Sequence, residues 1–258
     1  MKAHILAALL LAGPAMAQDN PLQNSATWDD LRDSVLGLEA DVPQDIGALD
    51  LEAPVRAHEA AIVPIRLIQP PGAPAIKAAT LVIDENPAPV AAEYTFGPAM
   101  MPLDFEFRVR VDSYSDVRAI ADLGNGNRVM AGRFVKASGG CSAPAGKDMA
   151  AVEATMGQMR WRTGQENGRQ IGTLMIRHPN FSGLQRDQVT LLNIPAHFID
   201  RLEVRQGDEV LFTLQAGISI SEDPVFRFAY RSNGQPIRVH VEDTEGNRWD
   251  QTFDAVSG

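Results

Sequence analysis

Residues 136–148 read KASGGCSAPAGKD and hold Cys141, the single cysteine of a 258-residue chain. A lone thiol can carry a covalent group, form an intermolecular disulfide, or fill a small apolar site as a hydrophobe. The flanks SGG and SAPAG offer no apolar face, so the sequence predicts an accessible thiol rather than a buried one. Gly139 and Gly140 precede it, and glycine reaches backbone angles closed to other residues, so this pair is read as a flexible arm. An ordinary exposed thiol is only a few per cent thiolate near neutral pH. Lys136 and Lys147 would raise that fraction modestly if they approached. Such chemistry suits a group that partners visit and modify better than a nucleophile acting unaided.

Other constellations are weaker. Nucleophilic hydrolysis needs a base beside the nucleophile and a third group to orient it. Beyond the first 17 residues the histidines are His58, His178, His197 and His240, all distant from Cys141 in sequence. A Cys–His pair in space stays open, but a hydrogen-bonded structural role is the stronger reading of each histidine. CxxC, HxxxH and HExxH spacings are absent, and His178 and His197 stand too far apart for a local metal motif. A blue-copper loop would cluster Cys, His and Met, which this sequence does not do. Neither a metal nor a cofactor is expected. Glu222 and Asp223 in ISISEDPVFRF read as a turn rather than an acid–base pair. LGNGNR reads as a hairpin turn, since no helix follows it to cradle a phosphate.

The first 17 residues, MKAHILAALLLAGPAMA, have a basic start at Lys2, an apolar run from Ile5 to Ala12 and a small-x-small end. That is the pattern of a secretory signal peptide cleaved after Ala17, and the apolar run is too short to span a bilayer. The expected location is the periplasm, an oxidising compartment where an unpaired cysteine stands out. The formal net charge is −10, and loss of Lys2 with the leader makes it −11. Nucleic acid and acidic membrane surfaces are therefore excluded as partners.

The elements that must position Cys141 are mainly strands. SATWDDLRDSVLGL carries one amphipathic helix, with Thr27 as its cap and Trp28, Leu31, Val35 and Leu38 at helical spacing. From Leu51 onward short β-rich runs alternate with Pro, Gly, Asn and Asp. In FEFRVRV, Phe105, Phe107, Val109 and Val111 face one side, and Glu106, Arg108 and Arg110 face the other. Phe226, Phe228 and Tyr230 repeat the pattern against Arg227, Ala229 and Arg231, and DTEGNRW closes a last hairpin. The expected fold is all-β: two immunoglobulin-like antiparallel β-sandwich domains with a short N-terminal helix. The expected divisions are 1–17 as signal peptide, 18–150 as a first sandwich with helix and cysteine arm, and 151–258 as a second sandwich.

VKASGGCSAPAGKD resembles the cysteine arm of SoxY, a chain that ends in a glycine-flanked swinging arm carrying sulfur intermediates covalently. IRHPNFSGLQ, NIPAHFI and GISISEDPVFRFAY resemble SoxZ, its partner subunit. The order of the two matches the fused SoxYZ-like carriers associated with quinoprotein dehydrogenases, and the resemblance covers nearly the whole chain beyond the leader. It implies a thiosulfate-oxidation carrier without its own active site, with Cys141 as the attachment point and Gly139 and Gly140 as the arm's leading glycines. The partners it implies are periplasmic sulfur-processing enzymes, or quinoprotein dehydrogenase and cytochrome components. SAPAGKD replaces the trailing glycines and chain end of the separate subunit, so the arm here is tethered on both sides. Two other readings stand beside the carrier: a non-catalytic docking protein for a periplasmic quinoprotein dehydrogenase system, and a disulfide-linked dimer through Cys141.

Overall fold

The computed structural model describes residues 20–23, 25–34, 36–37, 42–144, 152, 154–188 and 190–255. The leader, Val35 and Leu38 of the expected helix, Lys147 and the expected sandwich boundary at 150–151 lie outside the described residues.

The first half supplies β1 (Asp50–Glu52), β2 (Val63–Ile68), β3 (Ile76–Ile83), β4 (Val90–Phe96), β5 (Asp104–Val109), β6 (Ser115–Leu123) and β7 (Arg128–Val135). The second supplies β8 (Met159–Glu166), β9 (Arg169–Ile176), β10 (Ile199–Gln206), β11 (Glu209–Ala216), β12 (Val225–Tyr230), β13 (Ile237–Asp243) and β14 (Arg248–Phe253). The alternating patterns form strands as expected: Phe105, Phe107 and Val109 of β5 and Phe226, Phe228 and Tyr230 of β12 are all buried. The LGNGNR turn joins β6 to β7 with Gly126 at φ 87°, a left-handed angle that costs glycine little.

These strands make two antiparallel sheets, ordered β1-β2-β5-β12-β9-β8 and β14-β13-β10-β11-β4-β3-β6-β7. Each half contributes three strands to the first sheet and four to the second, an immunoglobulin-like arrangement. The order β1-β2-β5 in one half is repeated as β8-β9-β12 in the other, and β4-β3-β6-β7 as β11-β10-β13-β14. The halves meet through equivalent strands in both sheets. Phe105 and Glu106 of β5 pair with Phe228 and Arg227 of β12, and Ala92–Phe96 of β4 pairs with Phe212–Ala216 of β11. Equivalent strands paired antiparallel relate the halves by a pseudo-two-fold axis.

One hydrophobic cluster therefore runs through both halves. At the seam Phe105 lies 5.1 Å from both Tyr94 and Phe212, and Phe212 lies 5.1 Å from Phe228, all three edge-on. Aromatic rings in this geometry attract one another beyond the area they bury, so the seam is packed like a core rather than a domain contact.

The helix α1 (Ala26–Ser34) starts one residue before the expected cap, and its Trp28 and Leu31 pack on Val82, Ile120 and Met130. Trp28 stacks over the Arg118 guanidinium at 4.2 Å. Arg118 is fully buried and reaches Asp84 at 3.0 Å and Asp116 at 2.8 Å, so its charge is compensated on two sides. Burial pushes the Asp84 carboxyl up despite that arginine.

Candidate functional site

After β7 the chain turns back along the residues that follow β5. Gly139 N–H donates to the Asp112 carbonyl at 2.6 Å and Gly140 N–H to the Val111 carbonyl at 3.2 Å. Cys141 N–H donates to Asp112 Oδ1 at 3.1 Å. Gly139 sits at φ 73°, in the left-handed region. Gly140 is held by close approach instead: a Cβ there would lie 2.2 Å from the Ala60 carbonyl oxygen and 2.5 Å from that of Val111. Of the two glycines expected to form a flexible arm, Gly140 is thus a packing glycine.

The second half closes over this loop. The connection between β9 and β10 carries Ser182, whose hydroxyl donates to the Cys141 carbonyl, and Gln185, whose Nε2 donates to the Ala143 carbonyl at 3.0 Å. Ser182 Oγ also accepts Leu184 N–H at 3.2 Å, and Gln185 Oε1 accepts Ser182 N–H at 3.1 Å. Cys141 is consequently 0% exposed, which corrects the expectation of an accessible thiol. Its own flanks supply no apolar cover, but polar side chains of the opposite half fasten the loop, and local sequence cannot report that.

Burial pushes the Cys141 thiol up to about 12, with Asp112 adding to the rise and Arg110 opposing it. In this state the group is a protonated, unreactive thiol. Lys136, expected to favour the thiolate, is not among the charges that act on it, and Lys147 is outside the described residues.

Arg110 is a second correction. Alternation puts it on the solvent side of the FEFRVRV run, yet it follows the end of β5 at Val109 and is 1% exposed, because the Cys141 loop and the β9–β10 connection cover it. Nη1 donates to the Gly140 carbonyl at 3.4 Å and Nη2 to the Asn180 carbonyl at 3.3 Å. Its Nε has no partner.

His178 and His197, separated in sequence by most of that connection, converge on Asp243. His197 Nε2 lies 2.6 Å and His178 Nε2 3.4 Å from Asp243 Oδ2, with the two rings 4.9 Å apart. Sequence spacing misses this pair; a signal was present in RHPN and PAHF flanking one connection, whose ends the Phe181–His197 bridge ties together. Two histidines and a carboxylate match the donor set of a transition-metal site. The hydrogen bonds argue otherwise. Asn180 N–H donates to His178 Nδ1 at 3.1 Å, which places the ring proton on Nε2 and makes that atom a donor to Asp243 instead of a ligand. Asp243 Oδ1 accepts from the backbone of Glu245 and Asn247, and Oδ2 from the Asn247 amide, so its oxygens are already occupied. The cluster clasps the connection that covers Cys141. A shallow cavity of about 650 Å3 on the second sheet, lined by Thr95, Thr213 and His240 among others, includes no residue of the Cys141 loop.

A family described as "Sulfur oxidation protein SoxY" matches residues 32–141, ending on the cysteine itself. One described as "Sulphur oxidation protein SoxZ" matches residues 160–254. No curated protein matches the chain. Among solved structures, the sulfur carrier protein SoxY from Chlorobium limicola f thiosulfatophilum is similar at 23% identity, covering 42% of this chain and 96% of that one, with a TM-score of 0.34. A superoxide reductase (neelaredoxin) from Ignicoccus hospitalis is similar at 16% identity over 42% of this chain and 90% of its own, with a TM-score of 0.30.

Proposed function

Because the chain carries a SoxY domain and a SoxZ domain in tandem, we propose that it is a covalent carrier of sulfur compounds with Cys141 as the attachment point. The observation that carries this reading is that the SoxY match ends on the chain's only cysteine, while the SoxZ-matched half clasps the same residue. The clasp consists of a few polar contacts to backbone, so it can open without disturbing the core. Opening exposes the thiol and lets it ionise; closing shields whatever it carries.

Loading from thiosulfate balances as a two-electron oxidation. The Cys141 thiolate and a thiosulfate dianion form a sulfur–sulfur bond to give Cys–S–S–SO3−, in which the first sulfur is Sγ, and two electrons pass to an electron-accepting partner. That partner is a periplasmic cytochrome or quinoprotein dehydrogenase component, and the loaded group is presented to sulfur-processing enzymes of the same compartment. The leader-like MKAHILAALLLAGPAMA supports this location. Gly139 and Gly140 act as the arm, Gly139 turning the chain and Gly140 allowing it to seat.

Burial of Cys141 favours one rival, a docking protein in which the thiol is incidental. The test is Cys141→Ser in the native host, with protein abundance matched by immunoblot. The carrier reading expects thiosulfate consumption that depends on this protein to stop; undiminished consumption would leave only the docking protein.

A further inference from the structure

Two arginines are buried in this molecule to the same degree and are treated in opposite ways. Arg118 meets two carboxylates at 3.0 and 2.8 Å and an indole face at 4.2 Å. Arg110, 1% exposed, has two long bonds to carbonyls and an Nε with no partner, and among the described residues no carboxylate forms an ion pair with it. A guanidinium does not give up its proton in proteins, so among the described residues this buried cation has no ion-paired counter-ion, and Glu222 acts on it only through space. Removing an ion from water costs several kcal/mol unless a partner offsets it. Such an arrangement persists when the partner arrives with a ligand.

Arg110 bonds to the residue immediately before Cys141, so the missing counter-ion belongs at the thiol. The other charges near it are fixed in place. Asp112 holds Cys141 N–H and opposes negative charge on the sulfur, while Glu222 acts on Arg110 only from beyond ion-pair distance. A planar fork of N–H groups matches an oxyanion that can accept two parallel bonds, and a lone sulfur anion does not use that fork as well.

We infer that Arg110 is the anion subsite for the sulfonate end of the group carried on Cys141. This rests on Cys141 being the attachment point. The sulfonate takes the unfilled Nε and displaces the long carbonyl contacts, so a loaded arm seats more firmly than an empty one. Asp112, which opposes negative charge on the sulfur, disfavours the anionic group near itself and so favours Arg110 as its partner.

The test compares two adducts on the full-length mature protein. Tetrathionate reacts with the thiolate to give Cys–S–S–SO3− and release thiosulfate; methyl methanethiosulfonate gives the neutral Cys–S–SCH3 and releases methanesulfinate. Melting temperature is read for each. The wild type is expected to melt roughly 2–4 °C higher with the anionic adduct than with the neutral one, the shift of one added charge-assisted bond in a domain of this size. In Arg110→Gln the difference should vanish or reverse, and in Arg110→Lys it should keep its sign but shrink. Each protein serves as its own reference, so a general loss of stability in a variant does not affect the comparison. Equal melting of the two wild-type adducts overturns the anion subsite while leaving the carrier intact. Failure of both reagents to add mass at Cys141 in native protein removes the carrier reading and the subsite with it.

Discussion

The Ser182 hydroxyl donates to the carbonyl of Cys141, across a gap of some forty residues that joins the SoxZ-matched half to the last residue of the SoxY-matched one. The thiol is therefore guarded by the opposite half of the chain. Separate subunits would make this contact between molecules; here a single chain makes it internally, next to two sheets that run through both halves.

Weakening the latch should free the thiol. Ser182→Ala removes one bond to the Cys141 carbonyl, and Gln185→Ala one bond to Ala143. A net hydrogen bond contributes about 1 kcal/mol, so native iodoacetamide labelling of Cys141 at pH 8 should quicken roughly fivefold in each variant. Unchanged rates would mean that something other than these two side chains controls opening.

The two arm glycines should respond differently to alanine. At Gly140 a methyl group meets two backbone oxygens at 2.2 and 2.5 Å, so Gly140→Ala should unseat the loop and raise labelling at least tenfold. At Gly139 the nearest atom is 3.8 Å away and only the φ of 73° resists, which costs about 1–2 kcal/mol. Labelling that rises more in Gly139→Ala than in Gly140→Ala would contradict the seated geometry.

Acid should loosen the clasp that holds the covering connection. Burial lowers His178 to about 4, below its ordinary 6.5. A histidine kept neutral in the fold contributes its full stability above pH 6.5 and loses it as pH falls towards 4. Asp243 is pushed up by burial but held down to about 2 by hydrogen bonds from Asn247 and His197. Its contribution is complete above pH 3.9 and is lost only as pH falls towards 2. His240, raised mainly by its bond to Asp250, works in the opposite sense. The measurement is thus the difference between wild type and His178→Gln in urea unfolding at pH 7 and pH 4.5. Wild type should lose about 2–3 kcal/mol more than the variant over that interval. Parallel losses would show that His178 is not the buried neutral group.

The same clasp should ignore metals. Zinc or iron(II) at tenfold excess, or EDTA, should leave the melting temperature within about 1 °C, since binding to a native site would raise it by mass action. A rise that saturates and disappears in His178→Gln would mean that the ring proton is displaced and the tautomer argument fails.

Strands and hairpins were legible because their signals are local: alternation in DFEFRV and VFRFAY, turn residues in LGNGNR and DTEGNRW. The glycine-flanked cysteine was the candidate site that the sequence put first. What lay beyond reach was decided by pairing between distant segments. Alternation grouped Arg110 with the outer residues of FEFRVRV, but could not reveal that β5 ends at Val109 and that residues of the 139–141 and 180–185 segments cover Arg110. Burial of Cys141 has the same origin. The meeting of His178 with His197 depends on how one long connection closes, and the continuity of both sheets depends on β4 finding β11 across more than a hundred residues.

The central claim is tested most directly by the intact mass of the mature protein, isolated non-reduced from its native host and measured before and after reductant. The carrier account predicts a reductant-labile, sulfur-containing adduct that maps to Cys141 and is absent from Cys141→Ser. A bare thiol, found repeatedly under conditions that preserve such adducts while the host is oxidising thiosulfate, would contradict it.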